Sequence, residues 1–248
     1  MDNPVGNGII EGVSRVSALT LDPQNVSAMI GRVATLTYRL NVNLSDDRAG
    51  DIARAEELAD RALVLQPHSS MAHWVRGYVF QAKHQWGPAI AEAEAAIAED
   101  PNNADAYAIA GFRKTFLGQT EDGFAGIDTA LRLSPRDQMA PWWQEERCEL
   151  HANLAQWEQA INWCGKSAAA SPRQWFPYML LASANAWAGH AKEAQDATAQ
   201  LLKLYPGFTV QSFLAWHRSD NPTYNAQEQR VAEGLRKAGV PEGEQKTN

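Results

Sequence analysis

Two cysteines, a histidine and three glutamates stand close together in the 248-residue sequence and are the first residues to test for chemistry. Cys148 and His151 have the spacing of two metal ligands on one helical turn, with Cys164 as a candidate third. A structural or catalytic zinc site closes with four ligands, and no fourth can be named. The competing reading is packing: free cysteine behaves as a small buried hydrophobe, so Cys148 and Cys164 are expected to be reduced and slow to react. Glu145, Glu146 and Glu149 fall within one turn, as carboxylates paired for acid–base work would. A solvated helix face accounts for them equally simply and is the preferred reading. A glycine-rich phosphate loop, a nucleophile elbow, HExxH and CxxC are all absent from the sequence. These residues point to no catalytic centre, and the chain is expected to work without enzymatic chemistry, metal or cofactor.

The elements that must position these residues follow a repeat. His73-x2-Arg76-Gly77-x2-Phe80 precedes Ala89, Ala93, Ala96 and Pro101; Tyr107-x2-Ala110-Gly111-x2-Lys114 precedes Gly123, Ile127, Ala130 and Pro135. Equivalent residues are about 34 positions apart, with small residues where two helices cross and proline after the second, which is the tetratricopeptide signature. Gly77 and Gly111 are the close-approach positions, and Ala89 and Gly123 face them. Pro101 and Pro135 end the second helices, where proline cannot continue a helix. Cys148 takes the place of Gly77 and Gly111 in its own hairpin, with Cys164 opposite. The fold class expected is all-α, a right-handed superhelical stack of about thirteen helices in one domain over 1–248, closed by a C-terminal capping helix.

The repeats run approximately over 26–69, 70–103, 104–140, 141–174 and 175–208. A partial N-terminal helix over 9–22 precedes them, and a cap over 209–240 follows. The partial helix looks like the second half of a repeat, which suggests descent or excision from something longer; a single helix that caps the stack accounts for it equally well. The first repeat is about ten residues over the period, and the excess falls in the polar segment Asn41 to Gly50, where Ser45 and two aspartates are candidate caps. Near Pro141 the next excess occurs, and proline is well tolerated in a first helical turn. Tyr224 to Ala238 is amphipathic with its charge outside, as a terminal cap requires.

The C-terminal part carries a second resemblance. Leu204-Tyr205-Pro206-Gly207-Phe208-Thr209, then Asn221-Pro222, then Glu233-Gly234-Leu235-Arg236-Lys237-Ala238-Gly239-Val240-Pro241-Glu242 resembles the end of the tetratricopeptide regions that follow class III nucleotidyl cyclase or winged-helix DNA-binding domains in bacterial proteins. The resemblance implies a bacterial regulatory or adaptor module, here without its effector domain. No cyclase metal ligands carry over, because no segment corresponds to them.

Recurring aromatics suggest where a partner would sit. Trp74, Tyr78, Phe112, Phe116, Trp142, Phe176, Met179 and Trp187 fall on first helices and are expected to line an inner groove with Arg113, Glu145 and Glu149. Trp86, Trp157 and Trp163 fall on second helices and are expected to fill gaps between hairpins. Rigid aromatics give contact area at low entropy cost, so the expected partner is a peptide or helix of another protein, with self-association as a further contact. The opposing possibility is that the groove closes on itself or on the capping helix. A net charge of −7 argues against nucleic acid. With no Lys or Arg before Arg15 and no long apolar run, neither a secretory signal nor a membrane span is expected, and the location expected is cytoplasmic.

Overall fold

The computed structural model describes residues 18–41, 44–216 and 218–243. The helix expected from Ile9 lies outside them, except for a last turn at 18–21. Every regular element among the described residues is helical. Two compact units divide the chain, Met1–Ala110 and Gly111–Asn248, and the division falls inside a helix.

The first unit holds α1 (Val26–Asn41), α2 (Arg48–Leu65), α3 (Ser70–Ala82), α4 (Trp86–Glu99) and most of α5 (Ala104–Phe112). Apolar residues at three- and four-residue spacing give α1 its buried stripe, Met29, Val33, Leu36 and Leu40. That stripe packs on Ala55, Ala59 and Ala62 of α2 and on α3, whose Ala72, Val75 and Val79 are also buried. Alanine on the second helices lets the axes come close, at the cost of small contact area per residue. The long first connection is held by polar groups. Asp47 caps α2 by accepting from the Gly50 amide at 2.9 Å, and Ser45 donates to Asp51 at 2.7 Å. Arg48 donates to the carbonyls of Leu40 and Ala82, at 3.2 and 3.0 Å, and ties the connection to two helix ends.

The second unit begins with the end of α5, which tightens into 3-10 turns at Arg113–Leu117 and Glu121–Gly123. Then come α6 (Phe124–Leu133), α7 (Ala140–Asn153), α8 (Trp157–Ala170), α9 (Phe176–Ala188), α10 (Ala191–Leu204), α11 (Val210–Leu214) and α12 (Pro222–Lys237). The pairs α7–α8 and α9–α10 are helical hairpins, and α9 packs on α8 as well. Leu180, Leu201, Phe208, Phe213, Val231 and Leu235 build one buried cluster with the two cysteines.

Four of the hairpins turn on a left-handed residue. His84, Gly118, Ala155 and Gly189 have φ of 55°, 78°, 57° and 83°. They occupy one position of the repeat, where the chain must reverse between first and second helix. The close approaches are unequal. A Cβ on Gly77 would sit 3.4 Å from the Ala89 carbonyl oxygen, an ordinary contact. On Gly111 it would sit 2.6 Å from the Gly123 carbonyl oxygen and 2.9 Å from the Gly126 Cα, inside the backbone of the facing segment.

Two expectations need correction. Cys148 and Cys164 do face each other across the α7–α8 hairpin, with Cα atoms 5.2 Å apart, but they are joined in a disulfide rather than free. That separation lies within the range a disulfide spans without backbone movement. Glu145 and Glu149 are not on a solvated face: both are buried. The turn that carries them faces the interior of the second unit, because a later helix lies over it.

Candidate functional site

In the first unit, α3 presents Trp74 and Tyr78 one turn apart, both half-buried, with their rings edge to face at 5.4 Å. Trp74 Nε1 and the Tyr78 hydroxyl both donate to Oδ2 of Asp105, at 2.6 and 2.7 Å. Asp105 opens α5, so one carboxylate orients two aromatics from the neighbouring first helix. Arg76, on the same helix, bridges Asp60 and Glu92, both at 3.1 Å, and braces the hairpin instead.

In the second unit the corresponding face is covered by α12, which runs along α9 and reaches α7 and the 3-10 turn at Arg113–Leu117. Phe116 meets the Tyr224 ring at 5.1 Å. The Ser219 hydroxyl donates to the Phe116 carbonyl, and Thr120 donates to Gln227 at 3.0 Å. Ser183 donates to the Val231 carbonyl at 2.9 Å, and Trp187 Nε1 to the Arg230 carbonyl at 3.0 Å. Gly234 makes the approach possible, because a Cβ there would sit 2.1 Å from the Ser183 hydroxyl and 2.7 Å from the Trp187 ring.

The expected groove residues thus separate. Phe112, Arg113, Phe116, Glu145, Glu149 and Met179 are buried; Trp74, Tyr78, Trp142, Phe176 and Trp187 are half-buried. Arg113 is paired with Glu146. Arg218, on the connection into α12, lies 2.8 Å from Glu149 and 2.9 Å from Glu228 and stacks its guanidinium near Phe116, Phe176 and Tyr224. Burial works against the charge on Arg218, and the two glutamates outweigh it, raising its pKa further. Burial pushes the Glu145 carboxyl well above its ordinary range, helped by Glu149 and Glu146 and opposed by Arg218. Trp187 stacks on Trp157 at 5.7 Å, and the pair forms one wall of an open cleft of about 630 Å³ that Ala226, Arg230, Glu233 and Arg236 line from α12.

Among the described residues, no group of three or more His, Cys, Asp or Glu side chains is arranged to hold a metal ion. The His151 ring is engaged elsewhere, 2.6 Å from Gln156 Oε1 and 4.6 Å from the Phe124 ring. The sequence reading left open that the groove closes on the capping helix but did not give the path of α12. Its signal was present in Tyr224, Gln227, Val231 and Leu235, a buried stripe with small Gly234 beside it, but a stripe does not say which surface it covers.

Stacked helical hairpins with a 34-residue register decide the architecture. The fold is that of tetratricopeptide repeat proteins. No family model and no curated protein matches the sequence. Among solved structures, the chain is similar to the tetratricopeptide repeat protein YrrB, described as having an unusual peptide-binding site: 16% identity, 78% of this chain and 93% of that one, TM-score 0.50. A repeat protein from Parabacteroides merdae is 16% identical over 94% and 86% of the two chains, with TM-score 0.54. The Cut9–Hcn1 structure of the APC/C gives TM-score 0.69 at 15% identity over 94% of this chain and 43% of that one. At such identities the likeness concerns the fold. None of these likenesses links the chain to nucleotidyl cyclases or winged-helix regulators.

Proposed function

We propose that the chain is a docking module that takes a helical or extended segment of another protein on its first-helix face, with Trp74 and Tyr78 as anchors. One observation carries this reading: the same kind of face in the second unit already holds a helix, the chain's own α12. In the first unit, two half-buried aromatics oriented by Asp105 offer an apolar surface beside a carboxylate. The complementary segment therefore presents an apolar side chain to the Trp74–Tyr78 pair and a lysine or arginine to Asp105. Desolvated aromatics dominate most interfaces, and the exposed part of the charge attraction contributes little. Peptides selected from a displayed library on the wild-type protein supply the ligand. Trp74→Ala is expected to weaken the best of them by about 2 kcal/mol or more, read by calorimetry. Equal affinity for both proteins would move the binding site off this face.

The C-terminal resemblance extends the reading to regulation of an effector such as a nucleotidyl cyclase or transcriptional regulator, acting through the same docking. A cytoplasmic site of action sits uneasily with the Cys148–Cys164 disulfide, since such bonds persist in oxidising compartments. Mass spectrometry of alkylated, unreduced protein from its native compartment decides between the two. Among the described residues, no helix is long and apolar enough to cross a membrane.

A further inference from the structure

We infer that the first half of α12 is a proton-held clasp: it lies closed on α7 while the Glu145 carboxyl is neutral and loosens when that proton is lost. The geometry is a charge mismatch sealed from water. At the junction of α7, the connection before α12 and α12 itself, one guanidinium, Arg218, serves Glu149 and Glu228 at 2.8 and 2.9 Å. Glu145 stands one turn before Glu149 and is 7% exposed, and its Oε2 has no hydrogen-bond partner. The other nearby cation, Arg113 on the 3-10 turn, is taken by Glu146. Tyr224 on α12 completes the surroundings, its phenol held neutral by burial. Arg218 is the cation that acts on Glu145, and it is already shared between Glu149 and Glu228, so a third buried charge there would be poorly compensated.

The sign follows from the raised pKa. A carboxyl whose pKa is higher in the closed form than in the open one stabilises the closed form fully below the ordinary carboxylate range. That contribution is lost as pH rises through the raised value. Loosening is confined to the first half of α12 because the second half is held by apolar packing. Val231, Leu235, Ala238 and Val240 belong to the buried cluster, Thr198 donates to the Ala238 carbonyl at 3.1 Å, and the Val210 amide donates to the Pro241 carbonyl at 2.9 Å. Polar contacts dominate the first half instead, through Ser219, Gln227, Glu228 and Arg218. Opening would uncover Phe116 and Glu149. This inference concerns a contact within the chain and stands independently of peptide binding at Trp74.

Amide hydrogen exchange tests it, with protection factors for residues 219–229 compared between about pH 5 and about pH 9. In the wild type, protection of these amides falls as pH rises, by up to about tenfold per unit between the ordinary carboxylate range and the raised Glu145 value and levelling off above it, while α8 to α10 keep theirs. In Glu145→Gln the slope falls markedly, leaving the part due to Glu149, whose carboxyl burial also raises against the pull of Arg218. A pH-independent wild type, or the same slope in Glu145→Gln, overturns the inference. Should that variant fail to fold, the carbon-detected titration of Glu145 in the wild type decides the matter. A midpoint in the ordinary carboxylate range overturns the clasp, and a raised midpoint supports it.

Discussion

Two glycines at one repeat position separate what spacing reveals from what it does not. Gly77 and Gly111 are legible as crossing points because each lies 34 residues from the other with a small residue opposite. Their tolerance differs because of what faces them. Gly77 looks onto a carbonyl at contact distance, so Gly77→Ala gains helix propensity of up to about 1 kcal/mol with little strain. Gly111 looks onto Gly123 and Gly126, and its Cβ would enter their backbone. Gly111→Ala is therefore expected to cost about 1–3 kcal/mol by overpacking. Urea denaturation of the two variants checks this, and equal midpoints would show that the facing segment yields. The cysteines follow the same pattern. Their opposition was readable from the register, but the bond was not, because a thiol pair and a disulfide fill nearly the same buried space. Closing a loop of this length stabilises by about 3 kcal/mol. Reduction should lower the denaturation midpoint accordingly, and unfolded, unreduced protein should show no reactive thiol.

Among elements, the hairpin turns give the sharpest expectation. A non-glycine residue in the left-handed region costs about 1–2 kcal/mol relative to the right-handed one. Gly118 and Gly189 avoid that cost, whereas His84 and Ala155 bear it. Ala155→Gly is expected to stabilise the protein by about 1 kcal/mol, and Gly189→Ala to destabilise it by a similar amount. Thermal melts of both variants test this, and a loss on Ala155→Gly would mean that its methyl contributes more than its backbone costs. Histidine and alanine at two of these positions carry no local sign of the left-handed backbone that all four share. The 3-10 tightening after Phe112 is likewise not marked by the repeat pattern.

For the whole molecule, the period makes the fold readable from the sequence. A hairpin that cannot bury its own apolar face must stack, and stacking leaves a signature every 34 residues. The groove residues were readable to the same extent: the register puts Glu145, Glu149 and Met179 on the face where α12 is found. Their burial was not readable, because it is imposed by a helix about a hundred residues away in some cases. Local pattern carries no information about such a partner. The cap expected in the polar Asn41 to Gly50 stretch is found at Asp47, whereas the bonds from Arg48 to two helix ends leave no mark in the sequence.

The path of α12 has a kinetic consequence. Repeat stacks usually assemble quickly because nearly every contact joins neighbours in sequence, and low contact order favours speed. Here Ser219, Asn221 and Gln227 bond to Phe116, Leu117 and Thr120 across separations of 103, 104 and 107 residues. During synthesis, α7 and α9 must wait with their inner faces wet until these residues have left the ribosome. The second unit therefore closes late, and the carboxylates that α12 will cover are the groups that keep the waiting face soluble.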